Sequence, residues 1–229
     1  SVRCGPEQGA AEDDWLFYRW IFFRDGAASS LARQTQRDFQ WLVFFDASTP
    51  DWLRVEVDEL SPGLFTPVWL DAPWTWETMR AAVSAHSSST YLITTRLDSD
   101  DAVSTRFVEE VHRHFDHQNL MYINLMHGVQ VDRSGQVFHA DQLTNAFISF
   151  VEKRVPAQAP RTVFQSFQHG LSRSYAPVLN VITEPRWMQV IHGGNLANSV
   201  RGLRIRPSSV DAEFDLALEY RREVSTPTY

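Results

Sequence analysis

The sequence predicts an α/β fold with a mostly parallel central sheet flanked by helices and an antiparallel extension in the C-terminal half. Strand-like apolar runs alternate with helix-like segments through the first 125 residues, a pattern typical of a parallel sheet. A hairpin signal later in the chain predicts the antiparallel strands. Residues 1–229 are predicted to form a single domain, because the chain shows no internal repeat and no low-complexity linker.

Six apolar runs have the length and the composition of strands. They are Gln40–Asp46, Phe65–Leu70, Tyr91–Thr95, Leu120–Leu125, Arg161–Phe167 and Trp187–His192. The hairpin is predicted where Val129–Val131 and Gln136–His139 flank a four-residue turn that ends in Gly135.

Helices are predicted from apolar positions at helical spacing and from capping residues. The first begins after Asp13 or Asp14, and the others cover Trp52–Leu60, Thr75–His86, Ser104–His117, Gln142–Lys153 and a terminal segment from Ser208 to Arg222.

The composition is that of a globular protein, with 43% hydrophobic and 21% charged residues. A formal charge of −7 argues against a nucleic-acid-binding surface, which usually carries a basic excess. The single cysteine, Cys4, excludes an intrachain disulfide and fits a reducing compartment. No apolar run reaches the length of a membrane span, so a soluble cytoplasmic protein is expected.

The most distinctive stretch follows the predicted strand Tyr91–Thr95, where Arg96 precedes three carboxylates, Asp98, Asp100 and Asp101. Open α/β sheets bind ligands at the carboxyl ends of their strands. Asp98 and Asp100 flank one residue, so both can point toward one cation, and their hard oxygens suit Mg²⁺ or Mn²⁺. Asp-rich turns also serve as solvated helix caps, and the spacing alone leaves both interpretations open.

Two more predicted strands end in acids, Asp46 and Asp71. As parallel neighbours they would share one rim with Asp98, forming a polar cleft suited to the ribose, the base edge and the bound cation of a nucleotide.

His192 precedes two glycines and could approach a metal or a phosphate; a hydrogen-bonded structural histidine is the alternative. The arginines 201, 204 and 206 could reach a diphosphate or lie exposed on an edge strand. The phosphate-loop, GxGxxG, GxSxG and HExxH motifs are missing.

Four stretches together resemble the rhamnosyltransferase family of bacterial glycosyltransferases. They are QTQRDFQWLVFFD, TTRLDSDDAV, FQSFQHGL and MQVIHGGNLANSVRG, and they span Gln34 to Gly202. TRLDSDDAV and IHGGNLAN are the more specific. The resemblance implies a GT-A fold, with residues of about 1–125 as the nucleotide-sugar-binding half and about 126–229 as the acceptor-side half.

GT-A enzymes hold a divalent cation against a nucleoside diphosphate sugar with an Asp-X-Asp element, which Asp98-Ser99-Asp100 matches. The resemblance implies that Asp98 contacts the ribose or the metal, that Asp100 is the principal ligand of Mn²⁺ or Mg²⁺, and that His192 is a further ligand. Asp46 matches an acid near the base or the ribose, and Arg96 is expected in the same nucleotide site.

The implied reaction is transfer of a sugar, such as rhamnose, from a dTDP-rhamnose-like donor to a hydroxyl of a glycan or glycolipid, with inversion. Trp74 and Trp76 are candidates for stacking on sugars, although core packing is the commoner fate of a tryptophan. A cytoplasmic location is expected, either free or attached peripherally to the inner face of the membrane.

Inversion needs a base near the acceptor hydroxyl. Glu152 is the first choice and Asp141 the second, followed by His169 and Glu184.

The sequence departs from this family at its start, where such proteins usually have a strand ending like Arg-Phe-X-Val-Arg and only Ser1-Val2-Arg3 corresponds. Without that strand the nucleotide site would lose one wall. Two other functions stay open. A nucleotidyltransferase could use a similar sheet and metal, and a non-catalytic module could bind carbohydrate through Ca²⁺ without affinity for nucleoside diphosphates.

Overall fold

The computed structural model of the protein describes residues 13–72, 74–166, 168–191, 200 and 202–214. Its helices are α1 (Asp13–Phe22), α2 (Ser29–Ala32), α3 (Asp51–Leu60), α4 (Trp76–His86), α5 (Phe107–Arg113) and α6 (Asp211–Phe214). A π-helical segment, Phe23–Ala28, joins α1 to α2. The side chain of Thr75 caps α4 by accepting a hydrogen bond from the backbone N–H of Thr78.

The described strands form three sheets. The strands are β1 (Leu42–Asp46), β2 (Thr66–Leu70), β3 (Tyr91–Thr95), β4 (Ala102–Val103), β5 (Met121–Leu125), β6 (His127–Asp132), β7 (Val137–Asp141), β8 (Ser149–Lys153), β9 (Val178–Val181), β10 (Trp187–Ile191) and β11 (Arg204–Ile205). One sheet is the parallel pair β1-β2, the second has the order β3-β8-β5-β9, and the third has the order β11-β7-β6-β10-β4.

The α/β class and the antiparallel strands of the C-terminal half are confirmed, and the sheets are more mixed than the sequence predicts. Of the eight strand pairs among the described residues, β1-β2, β6-β10 and β5-β9 are parallel and the other five are antiparallel. The predicted hairpin is present as β6 and β7, which pair antiparallel across the turn. Strand β9 was not predicted from the sequence.

Two predicted elements are wrong. The predicted helix Gln142–Lys153 is a loop followed by β8, and the predicted strand Arg161–Phe167 contains a 3₁₀ turn, Val163–Gln165. Strand β8 is buried at four of its five residues and pairs with β3 on one side and β5 on the other. Backbone pairing on both edges therefore outweighs the helical spacing of its apolar residues.

An aromatic cluster packs α1 and the π-helical segment against β1 and β2. The ring of Phe23 lies 5.3 Å from that of Trp41 and 5.6 Å from that of Phe65, measured between centroids. These aromatic pairs bury large apolar areas and add edge-to-face or stacked contacts to them. They hold the two-stranded sheet beside the helix that reaches the Asp98 turn.

A second core surrounds Trp187 of β10, which is fully buried. Its ring stacks on Phe147 with the centroids 5.2 Å apart, and its Nε1–H donates a hydrogen bond to the carbonyl oxygen of Leu125. The same ring lies over Gly128 of β6, where an added Cβ would come within 2.0 Å of Trp187 Cδ2. Glycine is therefore required at this position by packing.

A cleft of about 1720 Å³ separates the β1-β2 pair from the sheet that contains β3. All five residues of β1 and all five of β3 line it. Among the described strands, β1 pairs only with β2 and β3 pairs only with β8, so each strand presents one hydrogen-bonding edge to the cleft. Within the described part of the chain, no helix has the length and hydropathy needed to cross a membrane.

Candidate active site

The turn Asp98-Ser99-Asp100 follows β3 after Arg96 and Leu97, as the sequence predicts. Asp98 and Ser99 line the cleft, together with Arg96. The guanidinium of Arg96 donates two parallel hydrogen bonds to the Asp98 carboxylate, from Nε at 3.0 Å and from Nη2 at 2.9 Å. Such a bidentate pair fixes the orientation of both side chains and offsets their charges. The Asp98 side chain remains 36% exposed and accessible from the cleft.

Arg19 of α1 reaches across to the same turn. Its Nη1 donates to Asp100 Oδ2 and its Nη2 donates to Ser99 Oγ, both at 2.8 Å. Asp100 is only 8% exposed, so its charge requires a nearby cation in this dry environment. The polar face of α1 thus supplies the counter-charge for the second acid of the motif.

Asp101 is buried beneath this turn, with 2% of its surface exposed. Its Oδ1 accepts a hydrogen bond from the backbone N–H of Val190 in β10 at 2.9 Å. Burial, followed by the negative charges of Asp100 and Asp98, raises the pKa of Asp101 well above its usual value. Asp101 therefore favours the neutral form and ties the turn to β10, a structural role distinct from that of its neighbours.

His169 lies within the electrostatic reach of the same turn. It begins a 3₁₀ segment, His169–Ser174, and it is half-buried. Burial lowers the pKa of His169, the positive charge of Arg96 lowers it further, and the negative charge of Asp98 opposes both. The lowered pKa of His169 therefore favours a neutral imidazole that can accept a proton.

Asp46 ends β1 and also lines the cleft. Its Oδ1 accepts hydrogen bonds from the backbone N–H of Ser48 at 2.8 Å and from the Ser48 hydroxyl at 2.6 Å. These two hydrogen bonds lower the pKa of Asp46, so the side chain is held ionised in a tight turn. Asp71, in contrast, is exposed and is not part of the lining.

Three aromatic rings form one wall of the cleft. The Trp74 and Trp76 rings meet edge to face with centroids 4.8 Å apart, and Phe164 lies 5.9 Å from Trp74 and 5.8 Å from Trp76. All three residues line the cleft, and Trp74 is 38% exposed. An aromatic surface of this kind can stack on a base or on the apolar face of a sugar.

Comparison with protein-family models gives one match, over residues 7–204, to a family described as "Putative rhamnosyl transferase". This match covers most of the 229 residues and includes the Asp98 turn, Asp46 and His169. The chain belongs to this family. The resemblance noted from the sequence motifs is therefore confirmed.

The crystal structure of TarS from S. aureus is one of the solved structures that match the fold, with a TM-score of 0.44 and 10% sequence identity. The match covers 76% of this chain and 35% of the TarS chain, so this chain spans well under half of that protein. A likeness this weak supports no functional conclusion. Among curated proteins, none matches the sequence.

The structure locates the base candidates at three different places. Both carboxylate oxygens of Glu152, on β8, accept backbone hydrogen bonds, from Arg161 N–H at 2.9 Å and from Thr162 N–H at 2.8 Å. Glu152 is 4% exposed, and Thr162 has a φ of 64°, a conformation that non-glycine residues rarely adopt. Glu152 thus holds a strained loop in place, and Thr162 and Phe164 of that loop line the cleft.

Asp141 and Glu184 lie away from the Asp98 turn. Glu184 lines a separate cavity of about 560 Å³ with His127 and His139, and Asp141 lies against these two histidines. Neither acid lines the cleft at Asp98. None of the four base candidates lines the cleft, and His169 is connected to the Asp98–Arg96 pair by the effect of these two charges on its pKa.

Only some of the residues predicted to act near the C-terminus belong to the described part of the chain. His192 and Arg201 lie outside the described residues. Arg204 and Arg206 are exposed, and Arg204 belongs to β11 at one edge of the five-stranded sheet. The edge-strand alternative therefore describes Arg204 correctly.

The sequence interpretation missed Arg19, which contributes two of the hydrogen bonds at the candidate site. One signal was present in the sequence: Arg19 is the only basic residue in the otherwise apolar and aromatic run from Trp15 to Phe23. A single charge within such a run needs a partner when the helix packs against a core. The identity of that partner depends on tertiary structure.

Proposed function

We propose that this protein is a metal-dependent glycosyltransferase that moves a deoxyhexose, such as rhamnose, from a nucleoside diphosphate donor to a hydroxyl of a glycan or glycolipid. The observation that carries the proposal is the Asp98-Ser99-Asp100 turn on the wall of a 1720 Å³ cleft, in a chain of the rhamnosyl transferase family. Small-molecule pockets commonly measure about 300–1,000 Å³. This cleft is larger and runs along all of β1 and β3, so a donor at Asp98 would fill part of it.

Asp98 and Asp100 would hold Mn²⁺ or Mg²⁺, with His192 as a further ligand. Their hard carboxylate oxygens fit such a cation, and Asp98 is accessible from the cleft. When bound, the cation would offset the negative charge that develops on the departing diphosphate. Arg96 and Arg19 now hold these two carboxylates, and their guanidinium groups also match the geometry of phosphate oxygens.

The remaining polar and aromatic residues suggest how the donor would lie. The ionised Asp46 at the end of β1 can accept hydrogen bonds from ribose hydroxyls or a base edge. Trp74, Trp76 and Phe164 offer a stacking surface for the base or the sugar. The diphosphate would then lie between these groups, next to Arg96.

We assign the general base to His169. Its lowered pKa keeps the imidazole neutral near physiological pH, and its charge environment includes both Arg96 and Asp98. A neutral imidazole within hydrogen-bond reach of the acceptor hydroxyl would accept its proton. Glu152 fits this role less well, because both of its oxygens already accept backbone hydrogen bonds.

A thermal-shift experiment with dTDP, UDP and GDP, each with and without Mn²⁺, tests the donor site. A ligand at 100 times its Kd stabilises the native state by about 2.7 kcal/mol, which is several degrees for a protein of this size. We expect a shift with one diphosphate that requires Mn²⁺, is lost in Asp98→Asn and is kept in Asp71→Asn, the matched change at an exposed acid outside the cleft.

The other outcomes separate the alternatives. A shift that occurs equally without Mn²⁺ contradicts metal dependence and leaves the arginines as the diphosphate site. No shift with any diphosphate, together with a shift produced by a free sugar and Ca²⁺, would favour the non-catalytic carbohydrate-binding module.

A further inference from the structure

Strands β6 and β7 bring two histidines and one acid together on one face of the five-stranded sheet. His127 and Asp141 are directly opposite each other in the antiparallel ladder, and His139 lies two residues before Asp141 on the same strand. Because side chains alternate between faces with a period of two, all three project to the same side. Their ligand atoms all lie within 4.8 Å of one another, the one such trio of His, Cys, Asp or Glu found within the described ranges.

We propose that His127, His139 and Asp141 form a site for a divalent cation of the zinc class. Two imidazoles and one carboxylate favour Zn²⁺, Co²⁺ or Ni²⁺ over Mg²⁺ or Ca²⁺, which prefer oxygen ligands alone. This site is separate from the one assigned to Asp98 and Asp100, since the cavity at His127 and His139 shares no lining residue with the cleft.

The two distances from the histidine nitrogens to Asp141 suit tetrahedral coordination. His127 Nε2 lies 3.6 Å from Asp141 Oδ1, and His139 Nδ1 lies 3.4 Å from the same oxygen. Zinc bonds of about 2.0–2.1 Å in a tetrahedron place neighbouring ligand atoms about 3.3 Å apart. The ligand atoms of the two histidines lie within 4.8 Å of each other and would have to move closer as the ion binds.

A backbone contact orients the first ligand. His127 Nδ1 lies 2.7 Å from the carbonyl oxygen of Thr183. A carbonyl can only accept a hydrogen bond, so Nδ1 carries a proton, and Nε2, on the side of Asp141, is the nitrogen available to a metal ion. Ligating histidines in metal sites almost always have such a partner on the second ring nitrogen.

The trio leaves room for a fourth ligand. The side chains of His127, His139 and Asp141 are 24%, 35% and 56% exposed, and the histidines border a cavity of about 560 Å³ that also contains Thr183 and Glu184. Three protein ligands with an open position are typical of zinc sites that bind water or a small oxygen ligand. We infer that the fourth position faces this cavity.

Titration with Co²⁺, followed by competition with Zn²⁺, tests the site. The full chain carries Cys4→Ser in every sample, so that the thiol cannot contribute a ligand. We expect one Co²⁺ with the visible absorption of tetrahedral nitrogen and oxygen coordination, in addition to any Co²⁺ held at Asp98 and Asp100. In the double variant Asp98→Asn, Asp100→Asn we expect one Co²⁺ per chain with the same tetrahedral spectrum. His139→Gln and Asp141→Asn should each weaken binding by about tenfold or more.

His112→Ala serves as the control, because it removes an imidazole from α5, whereas the trio lies on β6 and β7. This variant should bind Co²⁺ like the parent. Asp141 is largely exposed, so its Asn variant should fold and keep the test meaningful. Unchanged binding in both His139→Gln and Asp141→Asn would overturn the proposal. Loss of the tetrahedral spectrum in the Asp98/Asp100 double variant would do so as well.

Discussion

At the residue scale, the candidate site is defined by charge compensation. Arg96 holds Asp98 from within the same turn, while Arg19 holds Asp100 from α1, 81 positions earlier in the chain. For Asp101 the largest effect is burial, which raises its pKa and favours the neutral form. Three neighbouring aspartates thus have three different environments, and only Asp98 combines negative charge with access from the cleft.

The first residue-scale prediction concerns Asp100. Asp100→Asn keeps the shape of the side chain but removes the charge that a divalent cation and Arg19 both require, so we expect turnover to fall by about 100-fold or more. Steady-state transfer assays with Mn²⁺ measure this, and circular dichroism checks that the fold is intact. Wild-type turnover in this variant would refute the metal assignment.

The second residue-scale prediction concerns the effect of His169 protonation on the stability of the protein. Its folded-state pKa is lowered, so between roughly pH 6.5 and that lower value the unfolded chain binds more protons than the native state. Stability should therefore fall as the pH decreases through this window, and His169→Gln should lose less. Urea unfolding at pH 7 and pH 5 compares the two proteins, and an identical pH dependence would contradict the assignment.

His169 also has a catalytic readout. A general base contributes about 10²- to 10⁴-fold, so His169→Gln should lower kcat by this amount while diphosphate binding remains. In the wild type, the acidic limb of the kcat/KM profile should lie below about pH 6.5. Full activity of the variant would show that another residue acts as the base.

At the element scale, strand β8 and the loop that follows it act as a support for the cleft. The Glu152 carboxylate holds the backbone of Arg161 and Thr162, and the same loop carries Phe164 into the aromatic wall. Thr94 Oγ1 on β3 accepts a hydrogen bond from the N–H of Val163 in the same loop. The acid predicted as a base on a helix therefore stabilises the wall from a buried strand.

We predict that Glu152→Ala destabilises the protein by about 1–3 kcal/mol, because it leaves two backbone N–H groups at a buried position without their acceptor. Urea unfolding measures the loss of stability. Glu152→Gln keeps one acceptor oxygen and should lose less, with a kcat close to wild type in the folded fraction. A folded Glu152→Gln protein without activity would restore Glu152 as the base.

The contact between β6 and β10 gives a second element-scale prediction. Gly128→Ala places a Cβ 2.0 Å from Trp187 Cδ2, and overpacking of this kind costs about 1–3 kcal/mol. Gly170→Ala is the matched control, since nothing lies within 4 Å of an added Cβ there, and it should change stability by less than about 0.5 kcal/mol. Equal stability of the two variants would show that the Trp187 ring can move aside.

At the scale of the whole molecule, the cleft exists because the β1-β2 pair and the sheet containing β3 are not joined by hydrogen bonds among the described residues. Helix α1 and the π-helical segment bridge the two parts, with aromatic residues against β1 and β2 and with Arg19 against the Asp98 turn. This arrangement brings Asp46, at the end of β1, Trp74, before α4, and Asp98, after β3, to one cleft.

The sequence by itself determined the α/β class, the bounds of most strands and the position of the Asp98-Ser99-Asp100 turn after β3. These features follow from local patterns: apolar runs of strand length, helical spacing, and polar residues that end a buried strand. It also determined the family, because the TRLDSDDAV and IHGGNLAN motifs are local as well.

Only the tertiary structure decided the pairing of β8 between β3 and β5, the partnership of Arg19 with Asp100, and the convergence of His127, His139 and Asp141. Each depends on contacts between distant parts of the chain, and local spacing does not encode them. Burial gives the physical reason: a strand enclosed on both edges overrides its helical pattern, and a charge removed from water is stable only beside a partner that the fold provides.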